Sequence, residues 1–388
     1  MTKRVSVLLL GLACAPSPRQ PTVAITHVTV IDVAAGKGIP DRTVVIRGRR
    51  IVQVGHTGTT TVPTGAQVID GAGKYLIPGL WDMHVHLDST DLPALVHVGV
   101  TGARDMGGDL EELLTWRRRI EAGELTGPRL VFAGPMLRGP RSLADSGPWV
   151  IRTPAHGVLA VDSLVRRHVD FIKVHEGLPP NAYNAIAREA RAKHIPFVGH
   201  VPAGVGPITA SEAGQRSIEH LEFVPDHCLS MFAGAASGCT PEQLDGILSH
   251  FAKNGTWLDP TIGSFRVFAP RQWPAIFAGF SDLVPQIRAN HIDLLAGTDL
   301  GTTGIEPGAS LHDALSLLAD AGFTPAEALR AATLNPARFL GLTDSLGTVA
   351  PGKLADLVLL ERDPLADIHL TRSIAAVIQG GKVVPRGP

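Results

Sequence analysis

Pro-Gly-Leu-Trp-Asp-Met-His-Val-His-Leu, residues 78 to 87, follows the apolar, β-rich run Lys74 to Ile77 and closes with His84 and His86 two positions apart. In a β-strand, residues i and i+2 point to the same face, so two imidazoles would leave one strand end together. Such a pair is half of a metal site, or an ordinary surface or core pair when nothing joins it. What decides between the two lies further along the chain.

From about Leu76 to Leu342 short apolar strands alternate with helical stretches. The strands expected are Leu76 to Met83, Val98 to Met106, Arg129 to Ala133, Asp170 to Val174, Pro196 to His200, Arg216 to His220, Thr256 to Asp259 and Ile292 to Gly297. Helices are expected between or after them at Leu110 to Ala122, Asn181 to Lys193, Pro241 to Lys253 and Ser310 to Ala321. Eight strands alternating with helices over about 250 residues match a (β/α)8 TIM barrel, an α/β fold whose active sites lie at the C-terminal strand ends. His84 and His86 end the first strand, Lys173 lies near the end of the fourth, His200 ends the fifth, His220 ends the sixth, and Asp299 follows the eighth. A barrel brings such distant positions onto one rim, where histidines, a carboxylate and a lysine can share a site.

The flanks have a different texture. Val23 to Val33, Thr43 to Arg47, Ile51 to Val54 and Gln67 to Asp70 are Val/Ile/Thr-rich runs between glycines and prolines. Leu357 to Leu360, Ala375 to Gln379 and Lys382 to Val384 repeat that pattern, the last two joined by the hairpin dipeptide Gly380-Gly381. Neither flank alone could bury its apolar face. One small β-sandwich built from residues 22–75 and 343–388 is therefore expected, around a barrel of residues 76–342.

With 388 residues, 44% hydrophobic and 18% charged, the chain can bury a large core. The formal net charge of −1, without a basic run, argues against nucleic acid. Lys3 and Arg4 precede the apolar run Val5 to Ala13, with Cys14 and a Pro/Ser segment from Pro16 following, so residues 1–21 read as an export leader. The run is too short to span a bilayer. Cys14 resembles a lipid-modified lipoprotein cysteine, although Leu12 sits one place too near it. Export to a periplasm or a membrane anchor is expected, and a cytoplasmic protein if the start is misplaced. Cys228 and Cys239 could pair only if their geometry permits.

Taken as an ordered set, Pro-Gly-Leu-Trp-Asp-Met-His-Val-His, Asp-Phe-Ile-Lys-Val, Val-Gly-His-Val-Pro, Ser-Ile-Glu-His-Leu, Ala-Gly-Thr-Asp and Leu-Gly-Thr-Val-Ala-Pro-Gly-Lys-Leu-Ala-Asp-Leu-Val resemble the metal-dependent amidohydrolase superfamily. Within it, they are similar to the imidazolonepropionase-like group that includes Xaa-Pro dipeptidases. The resemblance implies two divalent metal ions, zinc by default, with His84, His86 and Asp299 on the more buried one and His200 and His220 on the other. It implies that Lys173, carboxylated by CO2, bridges both, since an ordinary lysine is a cation and no ligand. It implies a metal-bridging hydroxide as nucleophile, with Asp299 as general base and then acid.

The activity so implied is hydrolysis of an amide bond in a small molecule, a dipeptide such as Xaa-Pro or an N-acyl amino acid. A lactonase, esterase or phosphotriesterase would use the same parts. A deaminase or a catalytically silent binding protein is a more distant alternative. His175, two residues after Lys173, is a candidate substrate contact, as are Arg138 and Arg141 in the Gly/Pro-rich loop after the third strand. Arg104 and Asp105 are expected as a buried ion pair, and Gly301 to Gly308 as a rim loop. Pro260 to Ile287 is shorter than in the family, which bears on the pocket wall or on subunit contacts in a homo-oligomer.

Overall fold

The structure, a computed structural model, describes residues 21–142, 144–222, 224 and 240–385. Residues 1–20 of the expected leader, with Cys14, and both Cys228 and Cys239 lie outside the described residues. No helix among the described residues is long and apolar enough to cross a membrane.

The N-terminal flank folds as β1 (Thr22–Asp32), β2 (Lys37–Arg47), β3 (Arg50–His56), β4 (Gln67–Asp70) and β5 (Tyr75–Pro78). The middle runs β6 (Leu80–Val85), α1 (Asp91–His97), β7 (Val100–Asp105), α2 (Leu110–Ala122), β8 (Arg129–Phe132), α3 (Pro154–Arg166), β9 (Ile172–Val174) and α4 (Pro180–Ala192). It continues through β10 (Phe197–Gly199), α5 (Pro207–Glu212), β11 (Ser217–Glu219), α6 (Pro241–Asn254) and β12 (Trp257–Asp259). Helices α7 (Phe265–Phe268), α8 (Trp273–Ala289), α9 (Ala309–Asp320), α10 (Pro325–Ala331) and α11 (Leu334–Phe339) follow. The chain returns to the flank as β13 (Leu357–Leu360), β14 (Ile374–Gln379) and β15 (Lys382–Val383).

Parallel pairing closes the middle into a ring. Strands β6, β7 and β8 form one sheet and β9 to β12 another. The gaps are bridged by Leu137 with Val174, Leu258 with Leu294, and Val85 with Leu300. The eighth staff of the barrel is thus the extended segment around Leu294 to Leu300, held by Leu295 N–H donating to Leu258 O at 2.8 Å and Met83 N–H to Ala296 O at 2.9 Å. Gly297 lets this segment pass close to its neighbours, since any Cβ there would come within 2.6 Å of both Asp259 Oδ1 and His84 Cβ.

Two expectations are corrected here. The single strand Leu76 to Met83 is two, because Gly79 breaks it: Gly79 N–H donates to Asp356 O at 2.8 Å, leaving β5 in the flanking sheet and β6 in the barrel. Arg104 and Asp105 do not pair, because neighbours on a strand point to opposite faces. The arginine enters the barrel interior, while Asp105 accepts from Leu87 N and Gly107 N.

The flanks form one continuous eight-stranded sheet, ordered β15-β14-β13-β5-β1-β2-β3 with β4 beside β1, so strands from both chain ends share one hydrogen-bonded unit. Both central residues of the β14–β15 hairpin, Gly380 and Gly381, have positive φ, as a type I′ turn requires. Strand β13 is buried on both faces: Leu357 and Leu359 pack in the flanking core with Ile25, Ile46 and Ile378, while Val358 and Leu360 pack in the barrel's outer core. It is the seam between the two units. Leu357→Ala therefore opens a cavity at that seam and is expected to cost about 2–5 kcal/mol, measured as a lowered midpoint with unchanged slope in urea denaturation.

Candidate metal centre

The ring mouth opens into a cavity of about 800 Å³ lined by His86, His175, His200, His220 and Asp299 among others. His84 and Lys173 are fully buried beneath them. Ring centroids of His84 and His220 are 4.8 Å apart, those of His200 and His220 4.8 Å, and those of His84 and His86 5.5 Å. The strand ends thus converge as the barrel topology demands.

Tautomers follow from the partners. His84 Nδ1–H donates to Glu219 Oε2 at 3.0 Å, and His86 Nδ1–H donates to the Gly107 carbonyl at 2.9 Å. Each therefore turns an unprotonated Nε2 towards Asp299 Oδ1, 3.6 Å away in both cases. Two lone pairs and a carboxylate oxygen facing one another call for a cation between them. Their spacing is near the ~3.4 Å edge of a tetrahedron of ligands about 2.1 Å from one ion. His84 Nε2 and Lys173 Nζ are buried with no hydrogen-bond partner within the protein. A divalent metal group fits these residues on that ground.

Burial keeps the histidines neutral, the form that ligates. It pushes His84, His200 and His220 well below the ordinary imidazole value and His86 and His175 down to about 4. Burial also lowers Lys173, favouring a neutral amine, and raises Asp299 to about 6. Two neighbours of the lone pairs are set by unusual backbone: His220 has φ 56° and Asp299 φ 65°. At His220 this matters greatly, since Glu219 already points inward and a regular strand would turn the next residue out. Asp299 is followed by Gly301, at φ 103°, where a Cβ would strike the His86 carbonyl at 2.2 Å.

Behind the ligand-type residues stands a charged layer. Arg104, with no exposed surface, donates from Nη2 to Glu219 Oε2 at 2.9 Å and Asp259 Oδ2 at 3.1 Å, from Nη1 to Ser217 Oγ at 3.0 Å, and from Nε to the Met83 carbonyl. Asp82, raised to about 7 by burial, accepts from the Thr298 hydroxyl at 2.7 Å and so fixes the turn into Asp299. His220 Nδ1 lies 2.6 Å from Thr261 Oγ1. A Glu222 carboxylate oxygen lies 2.5 Å from His200 Nδ1.

The profile of the Amidohydrolase family matches residues 75–384. The chain belongs to the amidohydrolase family. This amidohydrolase is 27% identical to the adenine deaminase of Rubrobacter xylanophilus over 94% of its own length and 58% of the relative's. It spans between about half and three fifths of the adenine deaminases it matches. It is 27% identical to the imidazolonepropionase of Cereibacter sphaeroides, covering 88% of this chain and 94% of that one. Among solved structures, a Bifidobacterium longum protein proposed to be a prolidase superposes with a TM-score of 0.77 at 26% identity, covering 96% of each chain. A Xaa-Pro dipeptidase with bound methionine gives 0.78 at 21%, covering 94% of this chain and 99% of that one, and shares the fold. The amidohydrolase thus has the barrel-plus-small-domain architecture of its family, and His84, His86 and Asp299 form a group that could hold a metal ion.

His84, His86, Lys173, His200, His220 and Asp299 are brought together as the strand ends predict, and His175 stacks on His200 with centroids 4.0 Å apart. Arg138 and Arg141 are placed differently. Arg138 is held by Asp145, with Nη2 3.0 Å from Oδ1, Arg141 gives its backbone N–H to the same carboxylate, and neither lines the cavity. The sequence reading did not single out Glu219, Asp259, Asp82 or Glu222. A signal existed for the first three, since each is an acid within or at the end of a short apolar strand.

Glu219→Gln replaces the charged acceptor behind His84 by a neutral amide with one accepting oxygen, to be shared among His84, Arg104 and Ser217, and is expected to weaken divalent-metal retention about 10–100-fold in chelator competition. Arg104→Met leaves buried carboxylates uncompensated and is expected to lower the unfolding free energy by about 3–5 kcal/mol.

Proposed function

We propose that the protein is a dinuclear metal-dependent hydrolase that cleaves the amide bond of a small peptide-like or acylated-amine substrate. The observation that carries this reading is Lys173: a fully buried amine with no hydrogen-bond partner, close enough to act electrostatically on His84, His86, His200, His220 and Asp299. A plain lysine cation there is disfavoured by burial. A neutral amine can add CO2 and lose a proton, giving an anionic carbamate with two oxygen donors.

In this reading His84, His86 and Asp299 hold one ion, His200 and His220 the other, and the Lys173 carbamate serves both. Bound divalent ions would acidify water into a nucleophile and polarise the scissile carbonyl. Asp299, at the mouth beside both His84 and His86, accepts the proton of the attacking water and delivers it to the departing nitrogen. Glu219 and Asp82 keep His84 and the turn into Asp299 from rotating during that transfer. His175, stacked on His200 at the cavity edge, contacts substrate.

A second reading, removal of ammonia from an aminopurine, is favoured by the adenine deaminases among the relatives. In the mononuclear form of that chemistry a lysine at the fourth strand has no role. A single preparation separates the two readings: protein grown with zinc and bicarbonate is expected to hold two metals per chain and to hydrolyse amides, with adenine untouched. Ammonia release from adenine with one metal per chain sinks the dinuclear reading.

Lys173→Ala is expected to hold at most one metal and to lose at least 10³-fold in kcat/KM. Because Asp299 must be deprotonated to act, kcat/KM is expected to fall as pH drops, with the acid limb at or below about 6, bound cations adding only a lowering influence.

A further inference from the structure

Much of the cavity wall is apolar, built by Met136, Leu221, Phe265, Phe268 and Ile276. In the same lining two carboxylates, Glu176 and Glu222, stand beside His200, and with it they make a group whose donor atoms all lie within 4.8 Å of one another. Neither carboxylate has a part in the amide chemistry proposed for the site.

Glu222 is anchored by its backbone neighbour. Its Oε2 accepts from Val201 N–H at 2.6 Å, which presents Oε1 to His200 Nδ1 at 2.5 Å. That second contact is no hydrogen bond: His200 is only 8% exposed, and its Nδ1 is buried with no hydrogen-bond partner. A ring nitrogen and a carboxylate oxygen meeting side by side are placed as two donors to one cation. Donors about 2.1 Å from one octahedral ion stand ~3.0 Å apart, so a shift of about half an ångström at Oε1 seats both. The exposed Glu176 brings an oxygen within 4.0 Å of the same nitrogen.

His220 adjoins this pair. Its Nδ1 is taken by Thr261 Oγ1 at 2.6 Å, and its ring centroid lies 4.8 Å from that of His200. Lys173 acts electrostatically on His200, His220 and Glu222 alike. Two divalent ions bring four positive charges, and Asp299 with a Lys173 carbamate offsets two of them. A third anion among such buried groups lowers the cost of the excess. In the protein alone burial raises Glu222 to about 8, so at neutral pH its carboxylate form depends on a cation nearby.

We propose that Glu222 is a ligand of the second ion, joining His200 and His220, with Glu176 the exposed carboxylate beside it. A carboxylate there gives that ion a hard oxygen donor, which favours manganese relative to a site holding the histidines without it. The assignment rests on the dinuclear reading.

The test is equilibrium metal binding, read without substrate. Wild-type protein prepared with bicarbonate, Glu222→Gln and Glu222→Ala are each titrated with Mn2+ and with Zn2+ against a competing chelator, and metals per chain are counted at saturation. Either variant suffices if the other fails to fold. Loss of the carboxylate is expected to weaken the second Mn2+ by about 100-fold or more, with a loss at least fivefold smaller for the second Zn2+. Equal losses for the two metals, the mark of a group that merely steadies His200, overturn the proposal. A second ion held as tightly as in wild type overturns it as well. One ion per wild-type chain sinks the dinuclear reading instead; Glu222 then keeps its assignment only if its substitution weakens that one ion with the same bias between metals, and loses it otherwise.

Discussion

Arg104 lies inside the barrel with no exposed surface, and its guanidinium faces two carboxylates, Glu219 and Asp259, within 3.1 Å. One cation cannot balance two anions in so dry a place. Burial, with repulsion from Glu219, pushes Asp259 far above the usual carboxylate range, so the pair holds fewer than two negative charges. Glu219 in turn holds His84 in the tautomer that frees its Nε2. The direction in which the central imidazole offers its lone pair therefore depends on a charge balance struck one layer below. Phe171 and Phe339, 5.8 and 5.2 Å from the guanidinium carbon, close that layer from solvent and strengthen every interaction within it.

Most of the architecture was legible because hydrophobic periodicity and glycine placement are local signals. Helix α2 falls on the expected residues, and its ends show why: Asp109 accepts from Glu111 N and Glu112 N, and Gly123 closes it in the left-handed region. The strand-end histidines were legible for a topological reason, since parallel strands in a barrel deliver their ends to one rim. What escaped was whatever depends on tertiary strain. That Glu219 and His220 both face inward rests on a φ of 56° at His220, which breaks the alternation of a regular strand. The division of Leu76 to Met83 at Gly79 rests on a hydrogen bond to Asp356, far along the chain. Arg104 and Asp105 look like partners in one dimension, and the pleat of a strand separates them.

Floor and wall of the cavity are built to different stiffness. Lys173, His84 and the layer beneath them hang from ladder hydrogen bonds of a closed ring. Phe265 and Phe268 sit on a four-residue helix from which Phe268 faces solvent, between a 3-10 turn and the long α8. Segments of that kind can change length or residue without disturbing a ladder, whereas the ring tolerates no such liberty. The ligand-type residues and the apolar wall thus belong to mechanically separate parts of the same pocket.

Strand β13 pairs with β5 across about 280 residues of chain, and β14 and β15 extend the sheet from its other side. During synthesis β1 to β5 emerge with one buried-type face waiting for partners made near the end of translation. The apolar row of Leu76 stays wet until Leu357 and Leu359 arrive to cover it. Long-range pairings of this kind slow folding and lengthen the exposure of unpaired strand edges. Closure of the flanking sheet therefore needs strands from both ends of the chain, at the seam that also seals the barrel's outer core.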